Sequence, residues 1–113
     1  MMKKSEKPVL IAVPTNDGIT IFKKMLGMAK YFYIYALTSE GRLSFVEKRE
    51  NPYETTLQHL KTLDVYGVIS DCKIIISSFI GKKGQERLRA KGVELYFIKG
   101  DIQESLKSIF NNE

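Results

Sequence analysis

A mixed α/β domain, with antiparallel strands first and strand–helix units after, is what the sequence predicts, and three features predict it. Residues 9–13 are a continuous apolar run. Residues 31–37 and 43–49 read as two strands around a glycine-containing turn. Beyond residue 55 helix-length amphipathic segments alternate with short apolar runs.

Val9-Leu10-Ile11-Ala12-Val13, ending at Pro14, has the unbroken hydrophobicity of a strand buried on both faces, hence a central one. Asn16-Asp17-Gly18 is a turn signal. Residues 19–29 lack periodicity and read as a long loop holding one short strand or helical turn. Tyr31 to Leu37 is aromatic and β-branched, a strand; Ser39-Glu40-Gly41-Arg42 turns the chain; Leu43 to Arg49 is more polar and suits a sheet edge. Asn51-Pro52 stops it. Thr55 with Gln58 forms a capping box for a helix whose apolar stripe is Leu57, Leu60, Val65, Val68 and Ile69. A strand over 74–78 follows, then a helix opened by Gly81-Lys82-Lys83-Gly84 and closed by Gly92 at the position after its C-cap. The last strand covers 93–98. Asp101 and Glu104 cap the final helix, where Ile102, Leu106, Ile109 and Phe110 share one face.

Right-handed crossovers then place the strands in the order 3-2-1-4-5, a ribonuclease-H-like mixed five-stranded sheet with helices on both faces. Residues 1–8 read as a charged N-terminal tail and residues 9–113 as one domain. The composition, 43% hydrophobic and 27% charged, is that of an ordinary globular chain. One cysteine, Cys72, excludes an internal disulfide and fits a reducing compartment. The start of the chain carries no signal-peptide pattern, and 9–13 is too short to span a bilayer, so a cytoplasmic location is expected. The net charge of +5 favours an anionic partner.

In this topology strand 1 and the 74–78 strand run parallel side by side, and their connections leave in opposite directions. Their carboxyl ends therefore form a crevice at a topological switch point. Two loops meet there, 15–29 and 79–84, carrying Lys23, Lys24, Gly27 and Lys30 on one side and Gly81, Lys82, Lys83 and Gly84 on the other. Phe79-Ile80-Gly81 leading into a helix offers free N–H groups at a positive dipole end. Met25, Leu26, Met28 and Phe79 give the crevice apolar lips. The competing interpretation is a solvated lysine rim over core methionines.

The run Ile11-Ala12-Val13-Pro14-Thr15-Asn16-Asp17-Gly18 resembles the opening of the dinitrogenase iron–molybdenum cofactor biosynthesis family, which includes NifX-like carriers and the C-terminal domain of NifB-like proteins. Gly27, Ala29, Tyr31 and Phe32, then Glu50-Asn51-Pro52, Asp71-Cys72, Ile74-Ile75, Ile80-Gly81 and Lys91-Gly92-Val93 continue the pattern in order. The resemblance runs from about Val9 to about Leu106. It implies a ribonuclease-H-like fold and a non-catalytic carrier or storage role for an iron–molybdenum cofactor or a related metal–sulfur cluster, with cofactor donor and acceptor proteins as partners. Members commonly have a His-Phe-Gly-Arg-like stretch in the first long loop, its histidine a candidate ligand. Met25-Leu26-Gly27-Met28 stands there in this chain. Thioether sulfur is a soft ligand that suits Cu(I) better than iron or molybdenum.

The cofactor-binding set expected is thus Lys23, Lys24, Met25, Gly27, Met28, Phe79, Gly81, Lys82 and Lys83, with Met25, His59 and Cys72 as weaker metal candidates. Cys72 precedes the 74–78 strand, at the end away from the crevice, and reads first as a buried structural residue; a ligand bridging two copies is the other reading. His59 has no ligand residue at helical spacing beside it and reads first as a boundary histidine. Met25 and Met28 read first as apolar cover. A nuclease of this fold would need clustered carboxylates, and strand 1 has none. Tyr31, Tyr33 and Tyr35 alternate as base-stacking residues do, but helices on both faces make them packing residues, so nucleic acid is disfavoured. The alternative retained is a small-anion or partner-binding module without metal; the oligomeric state is left open.

Overall fold

A computed structural model describes residues 7–54 and 65–110. In chain order its elements are β1 (Val9–Thr15), a 3-10 turn (Leu26–Met28), β2 (Tyr31–Leu37), β3 (Leu43–Glu50), β4 (Ile74–Ser77), α1 (Lys82–Ala90), β5 (Glu94–Phe97) and α2 (Ile102–Phe110). The sheet order is β3-β2-β1-β4-β5, with β1 antiparallel to β2 and parallel to β4. This is the mixed five-stranded sheet the sequence predicts.

β1 is central because it is apolar on both faces. Ala12 joins Phe32, Ile34, Ile75 and Leu88 of α1 in one core, which also takes in Val65, Ile69 and Cys72. Ile11 and Val13 join Ile74, Ile76, Ile102 and Leu106 of α2 in the other. A helix thus covers each face. Tyr35 is buried in the second core, and half-buried Tyr33 packs against it. The Tyr33 and Tyr35 rings lie 5.2 and 5.6 Å from the ring of Phe45. They are packing residues, as the alternation in a covered sheet implies.

Local chemistry sets the element ends. Gly41, at φ +87°, turns β2 into β3, with Arg42 N–H donating to the Thr38 hydroxyl. β3 is one edge strand and β5 the other. The register of β3 against β2 slips between Ile34, which faces Glu47, and Tyr35, which faces Phe45, so Val46 is the extra residue of a bulge. Gly92, at φ +84°, ends α1: its N–H reaches the Arg89 carbonyl, and the Val93 N–H reaches that of Leu88, a Schellman cap with Val93 and Leu88 in the same core. The Asp101 carboxylate accepts the Glu104 N–H at 2.9 Å and caps α2.

One boundary differs from expectation. Thr55, Leu57, Gln58, His59 and Leu60 lie outside the described residues, but the helix expected to run through Val68 and Ile69 is helical only to Tyr66. Val68 and Ile69 lie in a turn whose N–H groups bond the Val65 and Tyr66 carbonyls. Ile69 reaches the core from that turn, so its apolar spacing marks burial rather than helix. The turn is tied to β3 by Arg49, whose guanidinium donates to both carboxylate oxygens of Asp71 at 2.8 and 2.9 Å and to the Val68 carbonyl. Among the described residues no helix is long and apolar enough to cross a membrane.

Candidate anion-binding crevice

Thr15, the last residue of β1, is fully buried and organises the turn that leaves the strand. Its hydroxyl donates to the Thr20 carbonyl at 2.7 Å and accepts the Gly18 N–H at 2.9 Å. The Asp17 carboxylate accepts the Thr20 and Ile19 N–H groups at 2.8 and 2.9 Å. These two bonds hold its carboxyl below the usual range. Gly18 has φ +79°, and a Cβ there would fall into the Tyr33 phenol, 2.6 Å from Cζ. Both constraints require glycine.

The loop then runs back over the carboxyl ends of the strands, fastened at each step. Phe22 N–H bonds the Pro14 carbonyl, Ile21 N–H the Gly100 carbonyl, and Ile102 N–H the Ile19 carbonyl. Met25 and Phe79 form an isolated parallel bridge, with Leu26 N–H donating to the Phe79 carbonyl at 3.2 Å. The two loops expected to meet do meet. A third joins them, through Gly100 and the Thr20–Asp101 bridge.

Within this frame the expected residues divide into two groups. Lys23, Lys24 and Met28 line an open hollow of about 540 Å³ together with Asn16, Asp17 and Phe22. Met25 and Phe79 stand about half exposed at the bridge, and the Met25 methyl lies 4.0 Å from where a Cβ on Gly81 would sit. Lys82 and Lys83 are exposed on the first turn of α1, whose N-cap, Gly81, makes no side-chain cap bond. That turn therefore presents N–H groups with no side-chain partner among the described residues, beside two cations. Gly27 turns its carbonyl to the Asn51 amide rather than to the hollow.

The donor set is poor in metal ligands. Among the described residues no three His, Cys, Asp or Glu side chains gather. Cys72 is fully buried, just before the amino end of β4 and remote from Phe79 beyond its carboxyl end, and burial pushes its thiol up to about 12. Its burial at the far end of β4 leaves it out of the crevice's donor set. What the crevice offers is ammonium groups, N–H groups and thioethers, the Asp17 carboxylate that also lines the hollow being engaged by the Ile19 and Thr20 N–H groups. This set suits an intact anion held by charge and hydrogen bonds rather than a metal held by protein ligands.

Three contributors were not singled out from sequence. Thr15 and Asn51 act through side-chain bonds to backbone, and the third loop acts through its carbonyl at Gly100. For the first two the only trace was membership of the short runs Thr15-Asn16-Asp17-Gly18 and Glu50-Asn51-Pro52.

The architecture is that of a small mixed α/β domain with a five-stranded sheet. It superposes on the orange protein of Desulfovibrio gigas, solved in its apo form, with a TM-score of 0.72 at 16% identity over 93% of this chain and 89% of that one. It also superposes on a Thermotoga protein of the DUF35 family, with a TM-score of 0.65 at 24% identity over 92% and 89%. These likenesses show the fold. The chain itself belongs to the dinitrogenase iron-molybdenum cofactor family, whose model matches residues 7–112. It is 29% identical over 104 residues to the FeMo cofactor biosynthesis protein NifB of Chlorobaculum tepidum, covering 91% of this chain and 24% of that protein. The chain thus spans about a quarter of the length of that relative.

Proposed function

We propose that this protein binds and carries, without transforming it, an anionic metal–sulfur cluster of the iron–molybdenum cofactor type as cargo, in the crevice at the carboxyl ends of β1 and β4. The observation that carries the reading is the joining of the lysine-bearing first loop to the start of α1 through the Met25–Phe79 bridge, with no ligating cluster among the described residues. Lys23 and Lys24 attract the anion from one side, and Lys82, Lys83 and the first N–H groups of α1 from the other. Met25, Met28 and Phe79 give a sulfur-faced anion soft, apolar contact that a strongly hydrated oxyanion would not use. The cargo keeps its own ligands and passes between a donor and an acceptor protein, in the cytoplasm. Membership of the family and the likeness to a protein solved in an apo form support this.

A second reading, a metal-free small-anion or partner-binding module, is favoured by Met25-Leu26-Gly27-Met28 offering neither imidazole nor guanidinium. One experiment separates the two. The purified protein is incubated anaerobically with tetrathiomolybdate or molybdate, with and without iron, copper and sulfide, then desalted and assayed for bound metal by mass spectrometry and visible absorption. Stoichiometric metal retained from the sulfur-ligated donors, reduced in Lys82→Ala/Lys83→Ala and in Met25→Ala and weakened by salt, supports the carrier. No retention under any donor condition overturns it in favour of the second reading.

A further inference from the structure

We propose that Asn51 is the positioning residue of this crevice: its side-chain amide sets the Leu26–Met28 turn in the shape that presents Met25 and Met28, an inference that rests on the crevice being the binding site. Asn51 follows β3 directly, is 5% exposed, and spends all its polar groups. Its backbone N–H donates to the Lys30 carbonyl at 2.9 Å. Its side-chain Nδ2 donates to the carbonyls of Gly27 and Ala29 at 2.9 and 2.8 Å, and its Oδ1 accepts the Tyr53 N–H at 3.0 Å.

That arrangement has one chemical solution. Two inward-facing carbonyls need two N–H donors from a single planar group, and the N–H on the other side needs an acceptor. Among short side chains only asparagine supplies both. Aspartate keeps the acceptor but sets an oxygen against two carbonyl oxygens. Serine keeps a single donor.

The turn needs this help because it has little cohesion of its own. It is three residues of 3-10 helix, a geometry with poor internal bonding. One of its bonds, Ala29 N–H to the Leu26 carbonyl, is long at 3.5 Å. Asn16 Oδ1 straps the following Lys30 N–H at 2.8 Å from the other side, and Phe79 holds Leu26. Asn51 is the strap that grips the turn at Gly27, between the two methionines. The sheet does not depend on it, since β3 is held by its ladder to β2 and by the Arg49–Asp71 ion pair. Loosening the amide therefore acts on the crevice first.

The test uses the whole chain with Asn51→Asp, which keeps the acceptor for Tyr53 and removes both donors. Asn51→Ser retains one donor and adds no charge. Two quantities are measured well below the melting temperature: NMR amide exchange at Leu26, Met28 and Lys30 against β1 and β4, and the apparent Kd for tetrathiomolybdate by absorption titration. In Asn51→Asp the three loop amides should exchange faster while the strand amides hold. The apparent Kd should rise about tenfold, as expected when the competent turn is present about a tenth of the time. Asn51→Ser should fall between this and the unaltered protein. An unchanged Kd, or loop amides as protected as before, overturns the proposal. So does loss of protection throughout the sheet in both variants, because Asn51 would then be a general stability residue. If the unaltered protein does not bind tetrathiomolybdate, the cargo reading fails, and amide exchange alone decides whether Asn51 holds the turn.

Discussion

Replacing Thr15 by valine removes one hydroxyl and leaves the shape of the side chain almost unchanged, so the result isolates hydrogen bonding from packing. The residue is fully buried, and its oxygen both donates to the Thr20 carbonyl and accepts the Gly18 N–H. Valine strands both backbone groups beneath the turn. A net hydrogen bond is worth about 1 kcal/mol, and a buried group left unpaired costs about 1–3 kcal/mol. Gly18 sits near the surface, where water restores part of the loss, so about 2 kcal/mol is expected in total. For a chain of this length that lowers the melting temperature by about 8 °C. With a urea m-value near 2 kcal/mol/M it lowers the midpoint by about 1 M. The assay is urea unfolding followed by circular dichroism, with Thr15→Ser as the control. Serine keeps the hydroxyl and loses one methyl, costing about 1 kcal/mol. If Thr15→Val loses less than about 0.5 kcal/mol with an unchanged m-value, or less than Thr15→Ser, then the hydroxyl does not hold the turn and the reasoning fails.

The same structure sets three further outcomes. Gly18→Ala should destabilise by about 2–3 kcal/mol, because it combines positive φ with a collision at the Tyr33 ring; thermal melts in a Tyr33→Ala background, which removes the ring, should show a smaller penalty, and an equal one would mean that the ring is not the obstacle. Native Cys72 should resist alkylation by iodoacetamide at about pH 8 and react only on unfolding, since burial pushes its thiol up to about 12; rapid labelling of the folded protein would contradict this. Asp71 is held below the usual carboxylate range by Arg49. Its folded pKa therefore lies below the unfolded one, and its contribution is full above about pH 4 and fades as pH falls through the folded value. With the carboxylate side chain 52% exposed, the advantage over Asp71→Asn should be only about 0.5 kcal/mol at neutral pH. Urea midpoints should converge in acid, and a gap that widened there would reverse the assignment.

The strand order was legible because it rests on signals with a period or a fixed position: the two-sided apolar run of β1, the Gly41 turn, the polar character of β3 and Gly92 after α1. The meeting of the two loops followed from that order alone. Less legible was everything that depends on one polar side chain reaching across sequence. Asn51 grips Gly27 and Ala29 from 24 and 22 residues away, and neither composition nor periodicity carries such a link. Thr15 hides within an apolar strand, and its hydroxyl matters only because the chain turns back over it. The misread at Val68 and Ile69 has the opposite cause. Their spacing satisfied a helical template, while the chain had already left the helix at Tyr66 and buried Ile69 from a turn.

The bulge at Val46 bears on how the molecule behaves in a crowd. An edge strand with free N–H and C=O groups invites another chain to extend the sheet. Here an incoming strand would have to match a register that skips at Val46, and then lie along Glu47, Lys48, Arg49 and Glu50. Neither a flat zipper nor a run of like side chains is on offer along β3, so extension of the sheet from that edge is disfavoured. The half-exposed Phe45 and Val46 thus sit where the ladder is broken, not on a straight strand that a second chain could copy.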